Sequence, residues 1–294
     1  MVRTWGGLQP ALLALLVSLR LQAGEVAITF DDLPAPPAAA PRLLKAIANA
    51  RVPAVGFVNE NKLATKAHID VLKRWHAAGL ELGNHTYSHR DLHDIGAEEL
   101  MHDVIRGEEV TRTILGRRPR WFRHPFLHTG NTTAMKQHVE ELLTQRGYRI
   151  APVTLDNSEW IFARAYDVAK DAATRKRIGT AYVDYMDRKL AYFEDQSQKL
   201  FGREIRHVLL VHANALNADW FDDLAASMRK RGYRFITLER ALEDPAYQSA
   251  DTYAGPAGIT WIHRWALTAG KKGAFFAGEP KTPEWIQDVA GIRE

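Results

Sequence analysis

Three short apolar runs in this chain each break off at residues that carry charge or bind metals, and stretches with helical spacing lie between them. Glu25-Val26-Ala27-Ile28-Thr29-Phe30 is apolar and β-branched and stops at Asp31-Asp32, just before Leu33-Pro34. Gly79-Leu80-Glu81-Leu82 leads into Gly83-Asn84-His85-Thr86-Tyr87-Ser88-His89, and Val208-Leu209-Leu210-Val211 presents His212. Runs of this length, bounded by turn residues and alternating with helices, read as buried parallel strands. Folds of that kind keep reactive side chains at the carboxyl ends of their strands, so the residues that close these runs are the first candidates for a site.

His85 and His89 are four residues apart and meet one ion if the chain makes a single helical turn between them. Two imidazoles leave a divalent ion short of protein ligands, so a third must come from another strand end. Asp31 and Asp32 supply it: adjacent carboxylates at the end of a buried strand repel unless a cation or a proton relieves them. One acid on the ion and the other held free as a general base resolves the repulsion. His93, four residues beyond His89, is a rival ligand.

Thr29-Phe30-Asp31-Asp32 followed by His85-Thr86-Tyr87-Ser88-His89 resembles the first two motifs of the polysaccharide deacetylases, carbohydrate esterase family 4. Arg123-His124-Pro125-Phe126, Asp156-Asn157-Ser158-Glu159-Trp160 and Leu210-Val211-His212 resemble the remaining three, in order. The resemblance implies an α/β fold, a distorted (β/α) barrel. It implies Asp32, His85 and His89 as ligands of a divalent metal, zinc first, with cobalt, nickel or manganese compatible. It also implies Asp31 as the base, Arg123 paired with it, and His212 as the acid, supported by the acid before Trp160.

That acid is Glu159 where the family has aspartate, which leaves Asp156 as an alternative partner for His212. The Phe126 backbone N–H would face the developing oxyanion. Leu210 and Trp160 would enclose the acetyl methyl, with a core position as the other reading of Trp160. His124 occupies a variable position, where packing and substrate contact weigh equally. The implied reaction is removal of acetyl groups, N-acetyl before O-acetyl, from an acetylated glycan. The rivals are a cyclic-amide amidohydrolase on the same scaffold and a glycan-binding protein without catalysis.

The rest of the chain narrows the setting. There is no cysteine, so disulfides and thiolate metal sites are excluded. The formal charge is +4, and no Lys/Arg tract interleaved with aromatics points to nucleic acid. Arg3, the apolar run at 11–19 and Leu21-Gln22-Ala23 read as a signal peptide cleaved after Ala23. It is short for a membrane span. The expectation is export to the periplasm or medium, with no stable membrane insertion after cleavage; oligomeric state is not legible.

The barrel is expected over residues 24–244, with helices at 42–50, 67–78, 97–115, 132–146 and 219–231. Residues 166–201 read as one or two added amphipathic helices. Further strands are expected at 53–58, 120–123, 148–153 and 233–237. From Pro245 the composition shifts to Gly, Pro and aromatics, and residues 245–294 are expected to pack on the barrel as an extension.

Overall fold

The computed structural model describes residues 24–294, so the expected signal segment at 1–23 lies outside the described residues. Strand and helix alternate from the start: β1 (Glu25–Leu33), α1 (Ala40–Asn49), β2 (Val55–Val58), α2 (Lys66–Ala77), β3 (Glu81–Asn84), α3 (Leu92–Arg106), α4 (Glu109–Leu115), β4 (Trp121–Phe122), α5 (Thr133–Gln145) and β5 (Arg149–Ile150). Next come α6 (Glu159–Val168), α7 (Ala172–Phe201), β6 (Arg206–His212), α8 (Ala215–Lys230), β7 (Arg234–Phe235), α9 (Leu238–Leu242), α10 (Trp261–Thr268) and α11 (Glu284–Ala290).

Every strand pairing is parallel, in the order β5-β4-β3-β2-β1-β6, with β7 on the first two residues of β1. The chain leaving β5 then touches β6, where Thr154 N and Leu155 N both donate to Val208 O at 3.0 Å. A bridge closes the ring where a regular barrel would have a full strand, and the result is the expected distorted (β/α) barrel. The central strand is dry, with Val26, Ala27, Ile28 and Phe30 buried. Phe30 packs edge-on against Trp75 and tilted against Phe221, joining α2 and α8 to the sheet. Each large apolar side chain buried this way contributes about 1.5–3 kcal/mol.

Several expected boundaries move. The first strand does not stop at Asp31 but continues to Leu33, through a register shift between Phe30 and Leu33 with Asp32 at φ 66°. The single helix expected at 97–115 is two, α3 and α4. Gly107 caps the end of α3 between them, where a Cβ would lie 2.4 Å from the Thr86 carbonyl carbon. Glu108, next in the chain, is buried and accepts from Tyr148 Oη at 2.6 Å. The strands expected at 148–153 and 233–237 shorten to two residues each; after β5 the chain bends away to reach β6. The added helical region is the end of α6 followed by α7, a 30-residue helix capped by Asp171 and packed on α6 and α8. In the C-terminal stretch, α11 lies against α6 and α10 against α7. No described helix is long and apolar enough to cross a membrane.

Candidate active site

Among the described residues, six non-glycine residues have positive φ; four of them, Asp32, His89, Phe126 and Leu127, line one cleft, and a fifth, Thr86, is buried next to His85, which also lines it. Left-handed backbone at such residues costs roughly 1–3 kcal/mol each and persists only where surrounding contacts hold it. Those contacts are present between the two histidines. Thr86 N donates to Asn84 Oδ1 at 2.7 Å, and His89 N donates to Thr86 Oγ1 at 2.9 Å. Asp103 of α3 accepts from Ser88 N and Oγ. The spacing of four therefore works through a pinned loop with two left-handed residues, not through the helical turn expected from it.

The loop delivers both imidazoles to Asp32. Its Oδ1 lies 3.9 Å from His85 Nε2 and 3.8 Å from His89 Nε2, and the three ligand atoms all lie within 4.8 Å of one another. His85 Nδ1 sits 2.8 Å from Arg123 O, a contact that places the ring proton there and leaves the Nε2 lone pair facing the acid. Burial lowers the pKa of both imidazoles to about 4, so they are neutral donors at ordinary pH. Burial opposes ionisation of Asp32, but His85, Lys62 and the other nearby imidazoles outweigh it and hold its pKa at about 2. Asp32 Oδ1 is buried without a hydrogen-bond partner. An orphaned anionic oxygen facing two neutral lone pairs is what a divalent cation satisfies, so these residues fit one.

Asp31 pairs in register with His212 across β1 and β6. Its Oδ2 lies 3.6 Å from Arg123 Nη1, an ion contact longer than a hydrogen bond, and its Oδ1 has no partner. Arg123 is fully buried, donates to Thr29 Oγ1 at 2.9 Å and lies over the Phe57 ring. Burial pushes the Asp31 carboxyl above the usual range, with Arg123 and His212 opposing that shift. His212 Nδ1 is 2.7 Å from Glu159 Oε2. Burial alone would lower its pKa; the hydrogen bond and charge of Glu159, with Asp31 and Asp32, instead raise it to about 9. Glu159 Oε1 accepts from Asn214 and Asn217, and Asn217 also holds the His212 carbonyl. Glu159, the first residue of α6, makes the contact with its extra methylene in place. Asp156 is not the partner: its Oδ1 accepts from Asn157 N, and its side chain borders the cleft.

The other sequence candidates also border the cleft. Trp160 is 47% exposed, which overturns its core reading, and Phe126 is 54% exposed against the His89 ring. Leu210 is buried beneath the cleft. His124 is packed edge-on against Phe122 with neither ring nitrogen bonded, and burial lowers its pKa to about 3. His93 does not join the first group. It belongs to a second, with Asp91 and His128.

Sequence reasoning missed Lys62, whose Nζ is 3.1 Å from Asp32 Oδ2, and the Asn214–Asn217 pair behind Glu159. Asn214 caps α8 by accepting from Asn217 N, so a cap placed directly after a catalytic strand end was the available signal. Nothing in the sequence marked Lys62.

Residues 20–149 match the polysaccharide deacetylase family model. A chitin deacetylase of Colletotrichum lindemuthianum is 32% identical over 47% of this chain and 54% of its own length. A peptidoglycan-N-acetylglucosamine deacetylase of Bacillus cereus is 26% identical over 73% of this chain and 66% of its own. The chain thus spans roughly half to two thirds of the length of these relatives. Among solved structures, the Colletotrichum chitin deacetylase superposes with a TM-score of 0.56 at 24% identity, covering 76% of this chain and 89% of that one. A family 4 carbohydrate esterase pseudoenzyme from Bacillus anthracis superposes at 0.54 with 16% identity, covering 75% and 66%. Because an inactive relative shares the fold, activity has to be argued from the side chains.

Proposed function

We propose that this chain, which matches the polysaccharide deacetylase family model over residues 20–149, is a metal-dependent hydrolase that removes acetyl groups, N-acetyl first, from an acetylated glycan. The observation that carries this reading is that two complete sets of side chains share one cleft. Asp32, His85 and His89 converge at one side, and the Asp31–Arg123 and His212–Glu159 pairs stand beside them on neighbouring strands. Asp32, His85 and His89 would hold a divalent ion such as zinc, which would supply Lewis acidity for the hydrolysis.

The chain's own residues do the rest. Asp31, more basic than an ordinary aspartate because it is buried, takes a proton from the attacking water while Arg123 keeps it oriented. His212 donates a proton from its outer nitrogen to the leaving amine or alcohol, and Glu159 holds the inner nitrogen and stabilises the imidazolium. The Phe126 N–H, on the strained turn beside His89, stabilises the oxyanion. Leu210 and Trp160 exclude water from around the methyl group.

The test is acetate release from acetylated chitin-like and peptidoglycan-like oligosaccharides, with the protein metal-loaded and then stripped by a chelator. Release that disappears on stripping and returns on adding zinc or cobalt supports the reading. Chelator-insensitive release, or none from any acetylated glycan, sinks it.

A further inference from the structure

The half of the chain beyond the family match contributes a wall to the cleft, and that wall is charged. Three separate parts of the C-terminal stretch reach the mouth: Gly258, residues 279–281 and Glu294. Each is anchored. A Cβ on Gly258 would fall 1.7 Å from Phe126 O, so that backbone lies directly against the Phe126 turn. Glu279 accepts from Lys189 Nζ at 2.6 Å, and the chain just before it is tied to α7 by Gln196 Nε2 on Phe275 O at 2.7 Å. Glu294 accepts from Ser158 Oγ at 2.5 Å and from Thr282 N at 2.6 Å, beside Glu159.

Lys189 is the centre of this wall. It projects from α7, its side chain is 7% exposed, and it still lines the cavity. Asp156 faces the same space, with only the Asn157 N–H bonded to its Oδ1. A buried ammonium and a carboxylate with unused acceptor capacity are suited to the donor and acceptor hydroxyls of a sugar ring. The half-exposed indole of Trp160 stands nearby for its apolar face. The open cleft has a volume of about 650 Å³, inside the range of small-ligand pockets and room for roughly two or three sugar rings.

We propose that Asp156, Lys189 and Glu279 form an end-stop subsite, so that the cleft takes the terminus of a glycan or a short oligosaccharide and not the middle of a long polymer. This rests on the deacetylase reading for its choice of ligand, an acetylated amino sugar. Lys189 is a positioning residue: it holds the sugar beside the one that reacts and touches no reacting atom.

The test is calorimetric titration of the zinc-loaded full chain, carrying Asp31→Asn to prevent turnover, with N-acetylglucosamine oligomers of one to six units. Affinity should tighten up to two or three units and then level off. Lys189→Met, which keeps the buried stem, should weaken disaccharide binding about tenfold, the loss expected for a hydrogen bond to a charged group. In the turnover-competent protein it should raise KM with kcat unchanged. Glu279→Gln serves the same purpose should the lysine variant fold poorly. Affinity that keeps rising through six units, failure of every oligomer to bind, or a Lys189→Met protein that binds as before overturns the proposal. Levelling-off without acetate release from the active-site-intact protein would instead overturn the deacetylase reading and leave the end-stop standing.

Discussion

Two groups in this molecule have the same composition, one aspartate and two histidines, and nearly the same compactness. In the first, the His85 and His89 rings meet edge to face, at 81° with centroids 4.8 Å apart, and Asp32 Oδ1 has no hydrogen bond. In the second, the His93 and His128 rings are stacked at 9° and 4.2 Å. Asp91 Oδ1 there is already taken, by His128 Nδ1 at 2.8 Å and His93 N at 2.9 Å. Imidazole lone pairs lie in the ring plane, so crossed planes intersect along a line where one ion can meet both, while stacked rings hold theirs in parallel planes that do not meet. Residue type and proximity are the same in both groups, and what sets the first apart as a candidate centre is its crossed rings and an acid oxygen without a hydrogen-bond partner.

The comparison breaks most readily on metal content. His85→Ala should lose the ion and essentially all activity, with zinc stoichiometry measured by atomic emission falling from one per chain towards none. Full occupancy in that variant would show the wrong ligand set. Asp31→Asn should keep the ion and lower kcat by about 10²–10⁴-fold, the usual worth of acid–base help. Near-normal turnover would remove Asp31 as the base.

Glu159→Gln should show its effect in the pH profile. In the proposed mechanism His212 donates a proton, so activity should be present below its pKa and lost as pH rises through it. Its raised value, about 9, depends on Glu159 working against burial. The variant should therefore shift the alkaline limb of kcat to lower pH, and an unmoved limb would mean that another group sets it. Gly107→Ala forces a methyl into the Thr86 backbone and should cost about 1–3 kcal/mol in denaturant unfolding, with weaker zinc affinity as the loop shifts. The smallest effect belongs to the second group: His93→Gln should change neither zinc stoichiometry nor kcat, and loss of an ion there would erase the distinction between the two groups.

The two groups also show where sequence reading works. His85, His89 and Asp32 were legible because each closes a run whose apolar pattern marks a strand end. His93 sat at an equally good spacing and went elsewhere, because the chain turns into α3 at Leu92 and carries it towards His128. The Glu159-for-aspartate exchange left two partners open for His212, and the start of α6 chose between them. Lys62, Asn217 and the Lys189–Glu279 pair had no local signature at all.

From residue order alone came the alternation of strand and helix, the strand ends that bear the chemistry, and the identities of the acid, base and ligand candidates. The alternation and the strand ends follow from local periodicity, and the roles of the candidates from the resemblance of five ordered motifs to the polysaccharide deacetylases. Folding in three dimensions settled which nitrogen faces which oxygen, where the backbone turns left-handed, and how the last fifty residues wall the cleft. Lys189 and Glu279 are 90 positions apart. A contact at that separation depends on how α7 and the C-terminal stretch pack over the barrel, and no window of neighbouring residues contains that information.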